Sequence, residues 1–331
     1  MYNIGIDAMG GDNGIEYLID AVIDSLNNDN NVTFTLFGNE NEIKNVFNSK
    51  NVSLSNINII NCNDKIEMND HPVFAIREKV DSSIVKSANM IKNREIDAFI
   101  SAGSTGALIA AAQFLVKPIK GVDRPVLGAI LPTNKDPMIL IDSGCNVDSK
   151  PEWLYQYAKL SNIYYSLMFD KKRPSIGLLS VGVEENKGNI LTKEAYKLLK
   201  QDSNLNFIGN VEARDLMYGI CDIVVTDGFA GNVFLKTYEG TAILLLKLIK
   251  EQISSSIISK IGGLLIKPAM KRILKKYDAT IYGGAPILGT DGLIIKCHGN
   301  SKKGEFYSSI EQVKNLLNKN LITNLNESFV R

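Results

Sequence analysis

Short apolar runs, each closing in a glycine-rich polar turn and followed by an amphipathic stretch, recur through the chain, and this alternation constrains the fold more than any other feature. Runs such as Ile223-Val-Val and Leu127-Gly-Ala-Ile-Leu have no polar partner at alternate positions. Strands of that kind are covered on both faces, which is the habit of a parallel sheet whose crossovers are helices. Strands are expected at 3–9, 33–38, 57–62, 98–102, 126–131, 138–142, 175–181, 206–209, 223–226 and 293–297. Helices are expected at 15–27, 40–47, 83–92, 107–116, 151–170, 191–201 and onward from Asn232. The expected fold is therefore α/β, a three-layer α/β/α arrangement around a mainly parallel, doubly wound sheet.

Composition narrows the class. With 331 residues, 45% of them hydrophobic, the chain can form one large α/β domain over 1–331 with a single excursion. A net charge of +1 argues against a polycation that seeks nucleic acid. Four cysteines (Cys62, Cys145, Cys221, Cys297) stand far apart without a C-x-x-C pair, so neither a disulfide framework nor a zinc site is expected. The opening MYNIGIDAMGG lacks the basic and apolar regions of a signal peptide, and no apolar run reaches the ~18–20 residues of a membrane span. A cytoplasmic location is expected.

The excursion lies at 241–278, where no strand interrupts two helices expected to meet at Gly262-Gly263 as a protruding hairpin. Eight Lys or Arg residues stand there against Glu251 and Asp278. Two readings stay open. The hairpin is a dimer interface with a solvated basic face, or Ile257, Ile258, Ile261, Leu264 and Leu265 form a tip that dips into a membrane while Lys260, Lys267, Lys271 and Arg272 meet anionic headgroups.

One pattern occurs twice. Asp97-Ala-Phe-Ile-Ser-Ala-Gly-Ser-Thr-Gly and Asp222-Ile-Val-Val-Thr-Asp-Gly-Phe-Ala-Gly each run from Asp through a buried strand to a G-x-x-G turn that opens a helix. Glycine permits close approach of backbone, and the N–H groups of a helix start favour an anion. A single copy needs no more than a tight strand–helix turn to explain it. Two copies, with polar strand ends after Asp7, Asp142, Gly182, Gly209 and Cys297, point to a ligand site at carboxyl ends of strands. Absent motifs matter as well: there is no P-loop, no G-x-G-x-x-G and no G-x-S-x-G. With only His71 and His298, a Ser-His-Asp triad lacks material.

Taken together, IGIDAMGGD at the start, SAGSTGAL at 101–108, NVDSKPEWLYQYA at 146–158, GNVEARDL at 209–216, VVTDGFAGNVFLKTYEGTA at 224–242, YGGAPILG at 282–289 and IIKCHGNS at 294–301 resemble the phosphate acyltransferases of the PlsX family. The resemblance implies an isocitrate/isopropylmalate dehydrogenase-like fold, a homodimer and no cofactor. It implies transfer of an acyl group from acyl carrier protein to inorganic phosphate, with the acyl phosphate passed to a membrane glycerol-phosphate acyltransferase. The chain departs from the family pattern at Asn13, Ser104 and Cys145, where His, Asn and Ala are usual.

The chemistry asks for positioning more than for acid–base work. Phosphate carries its own negative charge, and a thiolate is a good leaving group. The expected anion-holding residues are Gly103, Ser104, Thr105, Gly106, Gly228 and Asn232, with Gly10 and Gly11 of the opening loop also at the substrate. Lys187 and Lys236 are the expected charged partners, and Asn146, Asn210 and His298 the residues that orient the thioester. Asp7 and Asp227 are expected to brace loops. A hydroxyacid dehydrogenase, a phosphotransacetylase using coenzyme A, and a non-catalytic membrane scaffold are the competing readings.

Overall fold

Every expected apolar run lies in one sheet, although the sheet is less uniform than the runs suggest. The structure is a computed structural model that describes residues 1–29 and 31–330. Its strands are β1 (Tyr2–Asp7), β2 (Val32–Gly38), β3 (Ile57–Asn61), β4 (Ala98–Ser101), β5 (Val126–Leu131), β6 (Met138–Ile141), β7 (Ser175–Ser180), β8 (Asn206–Glu212), β9 (Ile223–Val225), β10 (Ala285–Leu288) and β11 (Leu293–Lys296). Its helices are α1 (Glu16–Asn28), α2 (Glu40–Ser49), α3 (Pro72–Glu78), α4 (Ser83–Lys92), α5 (Thr105–Ala111), α6 (Pro151–Phe169), α7 (Ile190–Gln201), α8 (Gly228–Ser254), α9 (Ile257–Lys276), α10 (Lys303–Asn318) and α11 (Leu321–Val330).

The strand order is β3-β2-β1-β4-β11-β10-β5-β6-β9-β7-β8. Strands β3, β2, β1, β4 and β11 are parallel to one another, and so are β6, β9, β7 and β8. Between the two sets, β10 pairs antiparallel with both β11 and β5, and β5 pairs antiparallel with β6. Three reversals leave the second set running opposite to the first. The two G-x-x-G turns, after β4 and β9, therefore lie toward opposite ends of the sheet within one chain.

Helices cover both faces, which makes the three layers. On one face α1, α6 and α10 pack on the central strands through fully buried Tyr157, Tyr164 and Tyr165. On the other face α4 and α5 cover Phe99 and Ile294, while α8 covers Leu140 and Val224 with Leu235.

Three differences from expectation have physical reasons. Strand β10 was not anticipated, because Pro286 and the glycines at 284 and 289 argue against a strand; it is nevertheless held on both edges. Strand β8 continues past Gly209, whose φ of +101° carries a bulge opposite Ile176 and Gly177. The hairpin turns at Ser255 and Ser256, not at Gly262-Gly263. Ser256 caps α9 by accepting the Ser259 N–H at 3.0 Å, whereas Gly262 and Gly263 lie inside α9. A Cβ on Gly263 would run into Ile253, so this glycine lets the two helices approach closely. Replacing Ser256 with Ala should cost the hairpin turn about 1 kcal/mol, read as faster amide exchange over residues 257–262.

Candidate active site

Two buried aspartates organise the strand ends. At the end of β1, one Asp7 oxygen accepts the N–H groups of Met9 and Gly10, each at 3.0 Å, and the other accepts the Ser101 hydroxyl at 2.6 Å. Ser101 in turn accepts the Gly103 N–H, so the β1 loop and the first G-x-x-G turn form one unit. A Cβ on Gly10 would stand 2.5 Å from the Gly103 nitrogen; only glycine allows the loops to meet. The β11 loop joins them, since Asp12 N–H donates to the Gly299 carbonyl and the Asn13 amide donates to the carbonyls of Asn300 and Ser301. Asn13 thus braces the loop.

The second set repeats the device. Asp142, at the end of β6, accepts the N–H groups of Gly144, Cys145 and Asn146, each at 2.8 Å, together with the Asn146 side-chain amide. Burial pushes this carboxyl above its ordinary range, with those donors pulling against it. The second G-x-x-G turn packs on that loop: Gly228 N–H donates to the Asn146 carbonyl, and a Cβ on Gly231 would collide with the Asp142 carbonyl. Asp227 caps α8 through the Ala230 N–H at 2.9 Å.

Between the units a trough of about 380 Å³ crosses β11, β10 and β5. Its walls include α8 and the short 3₁₀ turn Ala279–Tyr282, with Ala279 and Thr280 in the lining. Thr105, Lys296 and His298 stand at one end, and Ser143, Gly144 and Asn232 at the other. The α8 wall presents Asn232, Leu235, Lys236 and Glu239, a single stripe at helical spacing. Lys296, half-buried, donates to the carbonyls of Ala102 and Cys297. Burial holds its ammonium below the usual lysine value, against the upward pull of Cys297, Glu305, Asp7 and Asp12.

Residues 2–324 match the fatty acid synthesis protein family. The phosphate acyltransferase of Clostridium botulinum (strain Alaska E43 / Type E3) is 45% identical over 327 residues, covering 98% of each chain. The chain belongs to the phosphate acyltransferase family. Solved structures agree on the fold. A phosphotransacetylase from Staphylococcus aureus superposes with a TM-score of 0.61 at 17% identity, covering 95% of this chain and 94% of its own. A 4-hydroxythreonine-4-phosphate dehydrogenase structure from Salmonella typhimurium gives 0.52 at 12% identity, covering 96% and 100%. The dehydrogenase-like fold is therefore present, and the chain is an acyltransferase that moves an acyl group to phosphate in fatty acid and phospholipid synthesis.

For a phosphate acyltransferase the placement of the expected residues is informative. Thr105, Asn232, Lys236 and His298 line the trough, with Lys236 paired to Glu239 at 2.9 Å. Ser104 is buried and caps α5, accepting the Ala107 N–H. Gly10, Gly11, Gly103, Gly106 and Gly228 serve contacts between loops: Gly11 faces the Gly299 carbonyl and Gly106 faces Pro72. The Asn146 amide is committed to Asp142 and to the Pro125 carbonyl. Lys187 is exposed in the loop after β7, and Asn210 holds that loop by donating to the Glu184 carbonyl at 2.8 Å. Sequence reasoning missed Lys296, although a lysine closing the apolar run Leu-Ile-Ile was a visible signal. It also missed the apolar trough floor, since strand β10 was not anticipated.

Exchanging Asp142 for Asn keeps the shape but turns an amide toward four donors. It should lower stability by about 2–4 kcal/mol, measured by urea unfolding.

Proposed function

We propose that the chain transfers a long-chain fatty acyl group from the thioester of an acyl carrier protein to inorganic phosphate. The observation that carries this reading is the trough, which has an apolar floor and a half-buried cation, Lys296, with Thr105 and His298 at one end. Phosphate sits there, its charge met by Lys296 and by side-chain donors. A phosphate oxygen attacks the thioester carbonyl carbon, the new C–O bond forms and the C–S bond breaks. The thiolate leaves with the electron pair and takes a proton from solvent. Phosphate is an anion throughout the neutral range, where its monoanion and dianion interconvert, and a thiol of pKa about 8.5 leaves readily. Positioning supplies the catalysis, and no covalent acyl-enzyme forms. Lys187, Asn146 and Asn210 do not line the trough, so this reading leaves the reacting groups to the trough residues.

The hairpin gives this reaction its place. Ile257, Ile258, Leu264 and Leu265 are 69–84% exposed, and α9 buries none of its described residues. Along α8 the apolar residues from Ile243 to Ile249 are 40–69% exposed. These faces support a homodimer and a peripheral seat on the cytoplasmic side of the membrane, where a glycerol-phosphate acyltransferase takes the product. The lysines and arginines of the hairpin suit the acidic surface of the carrier protein as well as anionic headgroups. Among the described residues no helix is long and apolar enough to cross a membrane.

Incubation with hexadecanoyl-acyl carrier protein and phosphate, followed by hydroxylamine trapping, should yield hydroxamate that depends on phosphate. No such product would overturn the reading, and equal use of hexadecanoyl-coenzyme A would remove the carrier protein from it. Lys296→Ala should raise the phosphate KM by about 10- to 100-fold, the value of a charge-assisted hydrogen bond. Because burial lowers the Lys296 pKa from 10.5, the ammonium is present below its lowered value and phosphate affinity is lost as pH rises through it. Lys296→Arg, which does not titrate there, should keep phosphate affinity on the alkaline side. A pH profile of phosphate KM that is the same in all three proteins would exclude Lys296 as the phosphate partner.

A further inference from the structure

Central strands of a large sheet are ordinarily buried on both faces. Here Leu127 and Ala129 of β5 and Ala285 of β10 are half-exposed in the middle of the sheet, all toward the trough. Their register is informative. Ala285 lies opposite Lys296 on β11. Ile287 lies opposite Leu127, and continuing that antiparallel register by two residues sets Ala285 beside Ala129. Ala129 in turn lies opposite Leu140 on β6, which α8 covers with Leu235. Lys296, Ala285 and Ala129 therefore form a row across three strands, roughly 10 Å long at the ordinary strand spacing. Leu127 and Leu131, two residues to either side of Ala129 on the same face, wall the row. The two alanines make a slot one side chain wide, with an apolar floor and a cation at one end.

We propose that this slot is the acyl-chain site: the thioester carbonyl lies at Lys296, and the unbranched hydrocarbon crosses Ala285 and Ala129 toward Leu235. The proposal rests on the acyl transfer reading above and adds where the chain lies and which residues gauge its length. An aliphatic chain fits because the floor from Ala285 through Ala129 to Leu235 is hydrocarbon, with Asn232, Lys236 and Glu239 standing on the α8 wall beside it; each methylene withdrawn from water strengthens binding about fourfold. The small side chains at 129 and 285 leave the slot open, so a larger residue at either closes it to long chains before short ones.

The test compares hexadecanoyl and butanoyl thioesters of acyl carrier protein at saturating phosphate, using wild type, Ala129→Leu and Ala285→Leu. The ratio of kcat/KM for hexadecanoyl over butanoyl should fall about tenfold or more in each variant. A fall of less than about threefold in both would overturn the proposal. If neither variant folds, Ala129→Cys gives an independent measurement. Hexadecanoyl-pantetheine without phosphate should slow N-ethylmaleimide labelling of residue 129, followed by mass spectrometry, about fivefold or more. Labelling at an unchanged rate would overturn the proposal. If wild type makes no acyl phosphate, the reaction reading fails, while the labelling experiment still decides whether the slot holds an acyl chain.

Discussion

Two carboxylates, Asp7 and Asp142, hold together the parts of this molecule that face ligand. Each closes a buried strand, and each gathers the N–H groups of the loop that follows it. A loop that turns sharply at a strand end leaves several backbone donors pointing the same way with no ladder partner. One carboxyl side chain, with two acceptor oxygens, accepts them all. The glycines around them follow from that demand. Once the loop is pulled tight over its aspartate, the neighbouring G-x-x-G turn has room to pack on it only without a Cβ, as at Gly10 and Gly231.

The repeated grammar is thus first a packing solution, and the ligand site arises from how its two copies are oriented. The Asp ahead of each strand does related work. Asp97 receives the Asn3 N–H at the start of β1, and Asp222 receives the Ser175 N–H and hydroxyl at the start of β7. Each half is therefore pinned at both ends of its central strands. Because β10 and β5 reverse direction between the halves, the units cannot share one edge of the sheet. The strip of sheet between them, with α8 and the 3₁₀ turn Ala279–Tyr282 among its walls, becomes the trough.

This explains what was legible in the residues and what was not. Apolar runs and capped amphipathic stretches are local, and those recognised lie within a few residues of their elements, Ser83–Lys92 as written, whereas α3, α10 and α11 were not among the expected helices. Motifs in unbroken order identified the family because each carries several residues of fixed spacing. Strand direction is a property of pairing, not of any run, so the reversal at β10 left no local trace, and Pro286 concealed the strand itself. Residue roles are harder to read for a related reason. Gly103 and Gly228 look like ligand-cradling positions, yet the same glycine is equally required by a neighbouring backbone, and only the three-dimensional neighbour decides. The hairpin turn was misplaced because Gly262-Gly263 is the stronger helix breaker on propensity, whereas three serines at 254–256 offer a cap.

On the proposed reading, Lys296 shows how the same fold turns a strand residue into a chemical one. It extends the apolar run of β11 by one place, on the face that carries Ile294, so alternation alone directs it into the trough. Two carbonyls accept from its ammonium, which keeps the charge solvated by protein in a place where water is partly excluded. A lysine in that state has a cation ready for an anion and loses little hydration when the anion arrives. Histidine would titrate near neutrality, and a surface lysine such as Lys187 would hold its charge in a medium that screens it. An enzyme whose nucleophile is already ionised gains most from a fixed, poorly hydrated positive charge. The strand end beside the Asp7 unit is the place on this sheet where the described residues supply one.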